Sequence, residues 1–152
     1  MQKVKVNLRP IINNVNLPTV LKTAVLPGET FEKLFVATQL GEIFYLENGR
    51  ANIFLDIRSQ VLKLGDVNGY EERGLVGLAF HPQFNYNGLF YIHYSIADTE
   101  VPGALPKFFK PDPCNSETLN LKWTDRENKY DHIDTIEEWL HQSNQQPIKT
   151  RT

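Results

Sequence analysis

An all-β fold is predicted by three features of this sequence of 152 residues. Short runs rich in β-branched and aromatic residues recur through the first two thirds of the chain, and turn-forming residues separate them. Asn48-Gly49 lies between two such runs, as a hairpin connection should, because both residues tolerate positive φ. In residues 71–82, E-E-R-G-L-V-G-L-A-F-H-P, charged residues lead into a glycine-containing apolar strand that ends at a proline.

Six strands are predicted before residue 98. They cover residues 21–26, 34–38, 42–46, 53–57, 75–80 and 89–95. The run at 75–80 is nearly continuous in apolar character, which is typical of a strand buried on both faces and predicts a central strand. Gly74 and Gly77 lack a Cβ atom, so another backbone or a ligand could approach this strand closely.

Residues 98–147 are predicted to form an irregular insertion. Its first part is rich in proline, which disfavours regular ladders and helices. A short amphipathic helix is predicted near residues 134–142, with Asp134 as N-cap and Glu137 in a capping-box position. Ile136, Trp139 and Leu140 would share one face of that helix, with Trp139 in a packing role. Residues 148–152 would then start a truncated strand.

Composition and charge disfavour several classes of partner. The net charge of −2 and the pI near 6.1 provide no basic field for nucleic acid or anionic lipid. The N-terminus carries no apolar segment of signal-peptide length, and no run is long enough to span a bilayer. The single cysteine, Cys114, cannot form an intramolecular disulfide and leaves the redox compartment and the localisation open.

Two motifs resemble a known family. E-R-G-L-V-G-L-A-F-H-P-Q-F at residues 72–84, followed by N-G-L-F-Y-I-H-Y-S at 87–95, resembles the signature of the glucose/sorbosone dehydrogenases, which are sugar dehydrogenases that use pyrroloquinoline quinone. Residues 34–49, L-F-V-A-T-Q-L-G-E-I-F-Y-L-E-N-G, are similar to the first full blade of that family's six-bladed β-propeller. Together the two matches cover residues 20–98.

The resemblance implies that the chain is an N-terminal fragment of a six-bladed propeller and forms only part of that propeller. One blade of four strands takes about 40 to 50 residues, so the chain would contain about one and a half blades. Residues 1–97 would form the first blade and the start of the second, before the insertion and the truncated strand. The missing remainder of the propeller and a small-molecule sugar are the implied partners. Family members are largely periplasmic or extracellular.

The family's chemistry implies a function for the complete protein and inactivity for this fragment. The parent would oxidise an aldose at its anomeric carbon. In the family, the general base and most contacts to the quinone and calcium belong to later blades, so no catalytic or metal-binding residue is expected here. The alternative is a non-enzymatic binding propeller related to hedgehog-interacting proteins. A third reading is a small interaction protein or a pseudogene product.

Three residues are predicted to face the substrate or the cofactor. Propeller sites lie over the central channel, at the ends of the inner strands. Glu72 and Arg73 immediately precede the predicted inner strand of the second blade, where the family points polar side chains at cofactor and sugar. Gln39, in the loop after the second strand of the first blade, is a weaker candidate for the same positional reason. The alternative is an ion-paired or solvated cluster of Glu71, Glu72 and Arg73.

The histidines do not form a catalytic or metal-binding pattern. His81 lies at the far end of the predicted inner strand, in the turn H-P-Q-F, so a turn-stabilising hydrogen bond is expected instead of a role as general base. His93 is interpreted as a structural histidine within a strand, and His132 and His141 fall in the insertion. No pair of histidines has the spacing of a zinc motif.

Overall fold

A computed structural model describes residues 3–64, 72–97, 105–106, 130–143 and 145–152. These residues form two antiparallel β-sheets and a single helical turn. Glu71, Cys114 and most of the predicted insertion lie outside the described residues. Within the described part of the chain, no helix has the length and apolar character needed to cross a membrane.

The first sheet is a four-stranded meander in the order β1-β2-β3-β4. Its strands are β1 (Pro18–Val25), β2 (Glu32–Thr38), β3 (Glu42–Glu47) and β4 (Arg50–Asp56). Asn48 and Gly49 connect β3 to β4 with φ angles of 52° and 75°. Positive φ at both central residues is the geometry that an Asn-Gly hairpin turn favours, so the predicted turn is confirmed.

The second sheet contains β5 (Leu75–Phe80), β6 (Leu89–Ala97), β7 (Leu105–Pro106), β8 (Tyr130–Leu140) and β9 (Ile148–Arg151). Its order is β5-β6-β8-β7, and β9 also pairs with β8. A helical turn, α1 (Phe84–Asn87), connects β5 to β6 and ends at Gly88, whose φ is 68°. The six strands predicted before residue 98 are all present, with small shifts at their ends.

The predicted helix near residues 134–142 is wrong, because this segment belongs to strand β8. Strand β8 pairs with β6 from Leu89↔Leu140 to Ala97↔His132. Successive side chains of a strand point to opposite faces, so the three apolar residues at helical spacing are separated. Trp139 is buried in the core, as its predicted packing role requires, whereas Ile136 is 65% exposed on the other face. Tertiary pairing with β6 therefore overrides the local capping pattern.

The prediction of a central position for residues 75–80 is also wrong. Strand β5 lies at the edge of its sheet, with β6 as its hydrogen-bonded neighbour. Its apolar character has a different cause: Leu75 and Leu78 are buried in the core shared by the two sheets. Thr19 of β1 donates a hydrogen bond to the carbonyl oxygen of Leu75 at 2.9 Å, which joins the first strands of both sheets.

An aromatic core joins the two sheets. Phe35 of β2 and Phe80 of β5 have ring centroids 4.7 Å apart, and Phe54 of β4 lies 5.0 Å from Phe90 of β6. Phe35 and Phe90 are fully buried. Burying one such side chain stabilises a fold by about 1.5–3 kcal/mol, and tilted ring pairs add to this. The sheets therefore pack face to face, as neighbouring blades do.

Candidate functional site

The candidate site lies at the N-terminal end of β5, where residues 72–74 form what we call the mouth. Glu72 is exposed and Arg73 is half-buried. Gly74 is buried and has a φ of 113°, a conformation that favours glycine. A Cβ atom at Gly74 would clash with the carbonyl oxygen of Gln39 and lie 2.8 Å from its Cγ atom. Glycine at this position lets the two sheets approach each other.

Two hydrogen bonds of Gln39 hold the mouth and the start of β5 against the first sheet. Its side-chain amide donates to the carbonyl oxygen of Arg73 at 2.7 Å, and its own carbonyl oxygen accepts from the Leu75 amide at 2.9 Å. The backbone amide of Gln39 donates to the carbonyl oxygen of Leu17 at 2.8 Å. The structure thus brings Gln39 and Arg73 together, and the Gln39 side chain is hydrogen-bonded to the backbone of Arg73. Contact of Gln39 with a ligand stays a prediction.

Ser95 is a second anchor of the mouth, and the sequence analysis missed it. Its hydroxyl donates to Oδ1 of Asp134 at 2.8 Å and accepts from the Gly74 amide at 3.3 Å. The Ser95 amide also donates to the Gly74 carbonyl oxygen at 3.1 Å. Ser95 is 1% exposed, so its bond with the Gly74 amide is shielded from water, whereas the Asp134 carboxylate is partly in solvent. Because Asp134 is 39 residues away in sequence, no local pattern signals this contact.

Two histidines flank Asp134 at the same end of the sheet. Nε2 of His93 lies 3.9 Å from Oδ1 of Asp134, and Nε2 of His132 lies 4.0 Å from the same oxygen. The His93 and Asp134 side chains are 41% and 46% exposed, so water screens this pair. Within the described ranges, no group of three or more His, Cys, Asp or Glu residues could hold a metal ion.

His81 stabilises the turn after β5, as the sequence analysis predicted. Its Nδ1 accepts from the Gln83 amide at 3.0 Å and lies 2.8 Å from Nδ2 of Asn87. Because a backbone amide can only donate, neutral His81 carries its proton on Nε2. The Asn87 side chain also accepts from the Leu89 amide at 2.9 Å. This network lies at the opposite end of β5 from the mouth.

A buried carboxylate, Glu137, connects β8 to β9. It is 3% exposed and accepts hydrogen bonds from Nε1 of Trp139 at 3.1 Å and from Nζ of Lys149 at 2.9 Å. Burial raises the pKa of the nearby Tyr94 hydroxyl, and the negative charge of Glu137 adds to the effect. Paired buried charges of this kind hold a strand in register, so we assign Glu137 a structural role.

Comparison with known proteins supports the fold. No family model matches the chain. Among solved structures, the chain is similar to the PQQ-bound form of an aldose sugar dehydrogenase from Streptomyces coelicolor, with 16% sequence identity and a TM-score of 0.52. The match covers 95% of this chain and 32% of that one, so the chain spans about a third of the length of the protein it resembles.

At this level of identity the similarity shows the fold alone. The structure has two antiparallel sheets packed face to face, each with its first strand at an edge, and this arrangement agrees with two consecutive blades. The chain therefore has the all-β fold of a partial β-propeller.

Proposed function

We propose that this chain forms the first two blades of a quinone-dependent sugar dehydrogenase that oxidises an aldose at its anomeric carbon. The observation that carries the proposal is the mouth: Arg73 lies at the end of β5, where the Gln39 side chain donates to its carbonyl oxygen and Gly74 leaves room for this approach. The similarity to a PQQ-bound aldose sugar dehydrogenase supports the same assignment.

The residues at the mouth fit part of a quinone and sugar site. Pyrroloquinoline quinone carries carboxylates, and the Arg73 guanidinium could pair with one of them through charge-assisted hydrogen bonds. The exposed carboxylate of Glu72 suits a sugar hydroxyl better than an anionic cofactor. One cation does not balance several carboxylates, so we assign the remaining quinone contacts, and the calcium, to later blades.

The chain's own residues would bind and orient, and would not carry the chemical step. The bound quinone would supply the redox chemistry by accepting two electrons from the sugar as hydride. Arg73 would fix the orientation of the reactants at the channel, and the bond from Gln39 to the Arg73 backbone would limit the movement of that side chain. The isolated chain would be inactive, because base, calcium and most quinone contacts would be absent.

The proposal is tested on the complete protein, meaning this chain continued to the end of its reading frame. The protein is loaded with pyrroloquinoline quinone and calcium, and aldose-dependent reduction of an artificial electron acceptor is measured. The expected result is turnover that requires both quinone and aldose, with no turnover in the quinone-free sample. Absence of quinone binding together with absence of turnover would contradict the proposal and favour a non-enzymatic binding propeller.

A further inference from the structure

The peptide group between Arg73 and Gly74 is hydrogen-bonded at both ends. Its carbonyl oxygen accepts from Nε2 of Gln39 at 2.7 Å, and its N–H donates to Oγ of Ser95 at 3.3 Å. Gln39 follows strand β2 of the first sheet, and Ser95 belongs to β6 of the second. One bond from each sheet therefore fixes the plane of this peptide group. Rotation of the plane would change ψ of Arg73 and with it the direction of the Arg73 side chain.

Gly74 makes these two hydrogen bonds necessary. Its φ is 113°, and glycine reaches a wide range of φ values because it has no Cβ atom. Steric hindrance at Gly74 therefore does not select one orientation of the peptide group that precedes it. The bonds from Gln39 and Ser95 select the observed orientation, and loss of either would let the group rotate.

The backbone of Ser95 is itself fixed on both sides. Its amide donates to the carbonyl oxygen of Gly74 at 3.1 Å, and its carbonyl oxygen accepts from the Leu62 amide at 2.8 Å. A hydroxyl group has one proton and rotates to suit its acceptor. The direction of the Ser95 hydroxyl proton is therefore set by the side-chain acceptor and not by the position of the backbone.

The acceptor of that proton is Asp134. It lies directly opposite Ser95 in the pairing of β6 with β8, and its Oδ1 accepts from the hydroxyl at 2.8 Å. A proton directed at the carboxylate leaves the lone pairs of Oγ for the Gly74 amide, and the negative charge strengthens the bond. Nε2 of His93 and Nε2 of His132 lie 3.9 and 4.0 Å from the same oxygen, which is beyond hydrogen-bond distance.

We propose that Asp134 is a positioning residue for Arg73, acting through the Ser95 hydroxyl and the peptide group between Arg73 and Gly74. The proposal rests on the proposed function, because it takes Arg73 as the group that orients the reactants. Without the Asp134 acceptor, the hydroxyl would rotate and its bond with the Gly74 amide would weaken. Arg73 would then adopt more than one direction at the mouth, and fewer bound reactants would have the productive orientation.

Strand β8 contains a matched control in Glu138. This residue lies opposite Tyr91 in the same pair of strands and accepts a hydrogen bond from the Tyr91 hydroxyl at 3.0 Å. Asp134 and Glu138 are an even number of positions apart, so both carboxylates lie on the same face of the sheet. Each accepts a bond from a hydroxyl of β6, but Asp134 is the one opposite a residue bonded to Gly74.

Amide hydrogen exchange of Gly74 in the 152-residue chain, measured at high dilution, tests the hydrogen-bond pathway without any activity. Asp134→Ala should speed this exchange at least about tenfold, and Glu138→Ala should change it by less than about threefold. Asp134→Asn keeps an oxygen acceptor and should also stay within about threefold of the parent chain. Unchanged exchange in Asp134→Ala, or equal acceleration in Glu138→Ala, would overturn the proposal.

The amides of β2, a strand that is hydrogen-bonded on both sides, report whether each variant is folded. If their protection is lost in Asp134→Ala, Asp134→Val repeats the test, because valine favours a strand and offers no acceptor. Faster Gly74 exchange with protected β2 amides is the expected result. Acceleration in Asp134→Asn equal to that in the variants without an acceptor would contradict the role of Asp134 as acceptor.

Aldose oxidation by the complete protein tests the consequence for the site. Asp134→Ala should lower kcat at least about fivefold and change the KM for aldose by less than about twofold, because orientation is lost and sugar binding is retained. Ser95→Ala should cause the same loss. The double variant should lose no more than Ser95→Ala alone, since Asp134 acts through Ser95. Additive losses, or an equal loss of kcat in Glu138→Ala, would contradict the proposal.

The two measurements separate this proposal from the proposed function. Faster Gly74 exchange in Asp134→Ala together with an unchanged kcat would contradict the positioning role, and the dehydrogenase assignment would stand. A complete protein that neither binds quinone nor oxidises aldose would contradict the dehydrogenase assignment. Gly74 exchange would then still decide whether Asp134 holds the mouth through Ser95.

Discussion

The side-chain amide of Gln39 donates a hydrogen bond to the carbonyl oxygen of Arg73 at 2.7 Å, across the boundary between the two blades. Next to Arg73, Gly74 has no Cβ atom, and this permits the approach. The mouth therefore depends on a long-range contact between the side chain of Gln39 and the backbone of Arg73.

Gly74→Ala should destabilise the chain by about 2–4 kcal/mol, since a positive φ is costly for alanine and the added methyl group would clash with the Gln39 backbone. Gly28→Ala is the matched control: its φ is also positive, at 82°, but nothing lies within 4 Å of the added atom. The control should cost about 1 kcal/mol. Urea unfolding at high dilution gives both free energies, and equal losses would show that the contact with Gln39 is unimportant.

The stability of the chain should fall as the pH drops below about 6.5, the ordinary pKa of histidine. Burial lowers the pKa of His141, which stacks on Phe54 with centroids 5.3 Å apart. Its Nδ1 has no hydrogen-bond partner among the described residues. The unfolded chain therefore takes up a proton before the folded chain does, and the stability present above pH 6.5 is lost as the pH falls towards the lowered pKa.

His141→Phe keeps a ring on Phe54 and removes the titration. The variant should show a flatter dependence of unfolding free energy on pH between neutrality and pH 5 than the parent chain. His93→Phe is the control, because His93 is 41% exposed and lies near Asp134. An unchanged pH profile in His141→Phe would assign the acid sensitivity to another group.

Residues 1–152 alone should bind neither pyrroloquinoline quinone nor calcium with useful affinity. The reason is that most of the site is assigned to later blades, and Arg73 offers one cation to a cofactor with several carboxylates. Calorimetric titration of the purified chain measures both ligands. Micromolar or tighter binding of the quinone would show that the site lies within this chain.

The isolated chain should also self-associate, because the face of the second sheet away from the first is uncovered by the described residues. Gly77, Ala79 and His93 lie on that face beside Ile136, which is 65% exposed. Ile136→Lys should shift the chain towards monomer in size-exclusion chromatography with light scattering. Ile53→Lys, at a position 50% exposed on β4, is the control. A monodisperse monomer before any substitution would contradict the prediction.

The sequence predicted those parts of the fold that local chemistry determines. Asn48-Gly49 and the runs on either side of it predicted β3 and β4, because the turn type follows from the residues themselves. The helix prediction for residues 134–142 failed because this segment forms a strand by pairing with β6. Helical spacing and a capping pattern do not reveal such pairing. The edge position of β5 could not be predicted either. A strand covered by a second sheet and a strand in the middle of its own sheet have the same apolar sequence.

For the candidate site, the sequence predicted positions, and the contact of Glu72, Arg73 and Gln39 with a substrate or cofactor stays a prediction. Glu72 and Arg73 were located from their position before β5, and the structure places them at that end of the strand. The roles of Gln39 and Ser95 in holding the mouth arise from contacts 34 and 21 residues apart in sequence. The first contact follows from the packing of the two sheets and the second from pairing within the second sheet, and no single motif reveals either.

Arg73→Ala in the complete protein tests the central claim most directly. Removing the guanidinium should lower aldose oxidation at least about tenfold, equivalent to about 1.4 kcal/mol of transition-state stabilisation, with the melting temperature unchanged. Arg50→Ala, at an exposed position of β4, is the control and should leave activity unchanged. Unchanged activity in Arg73→Ala, or loss of folding in that variant, would show that Arg73 is a structural partner of its neighbours and that the mouth is not part of the site.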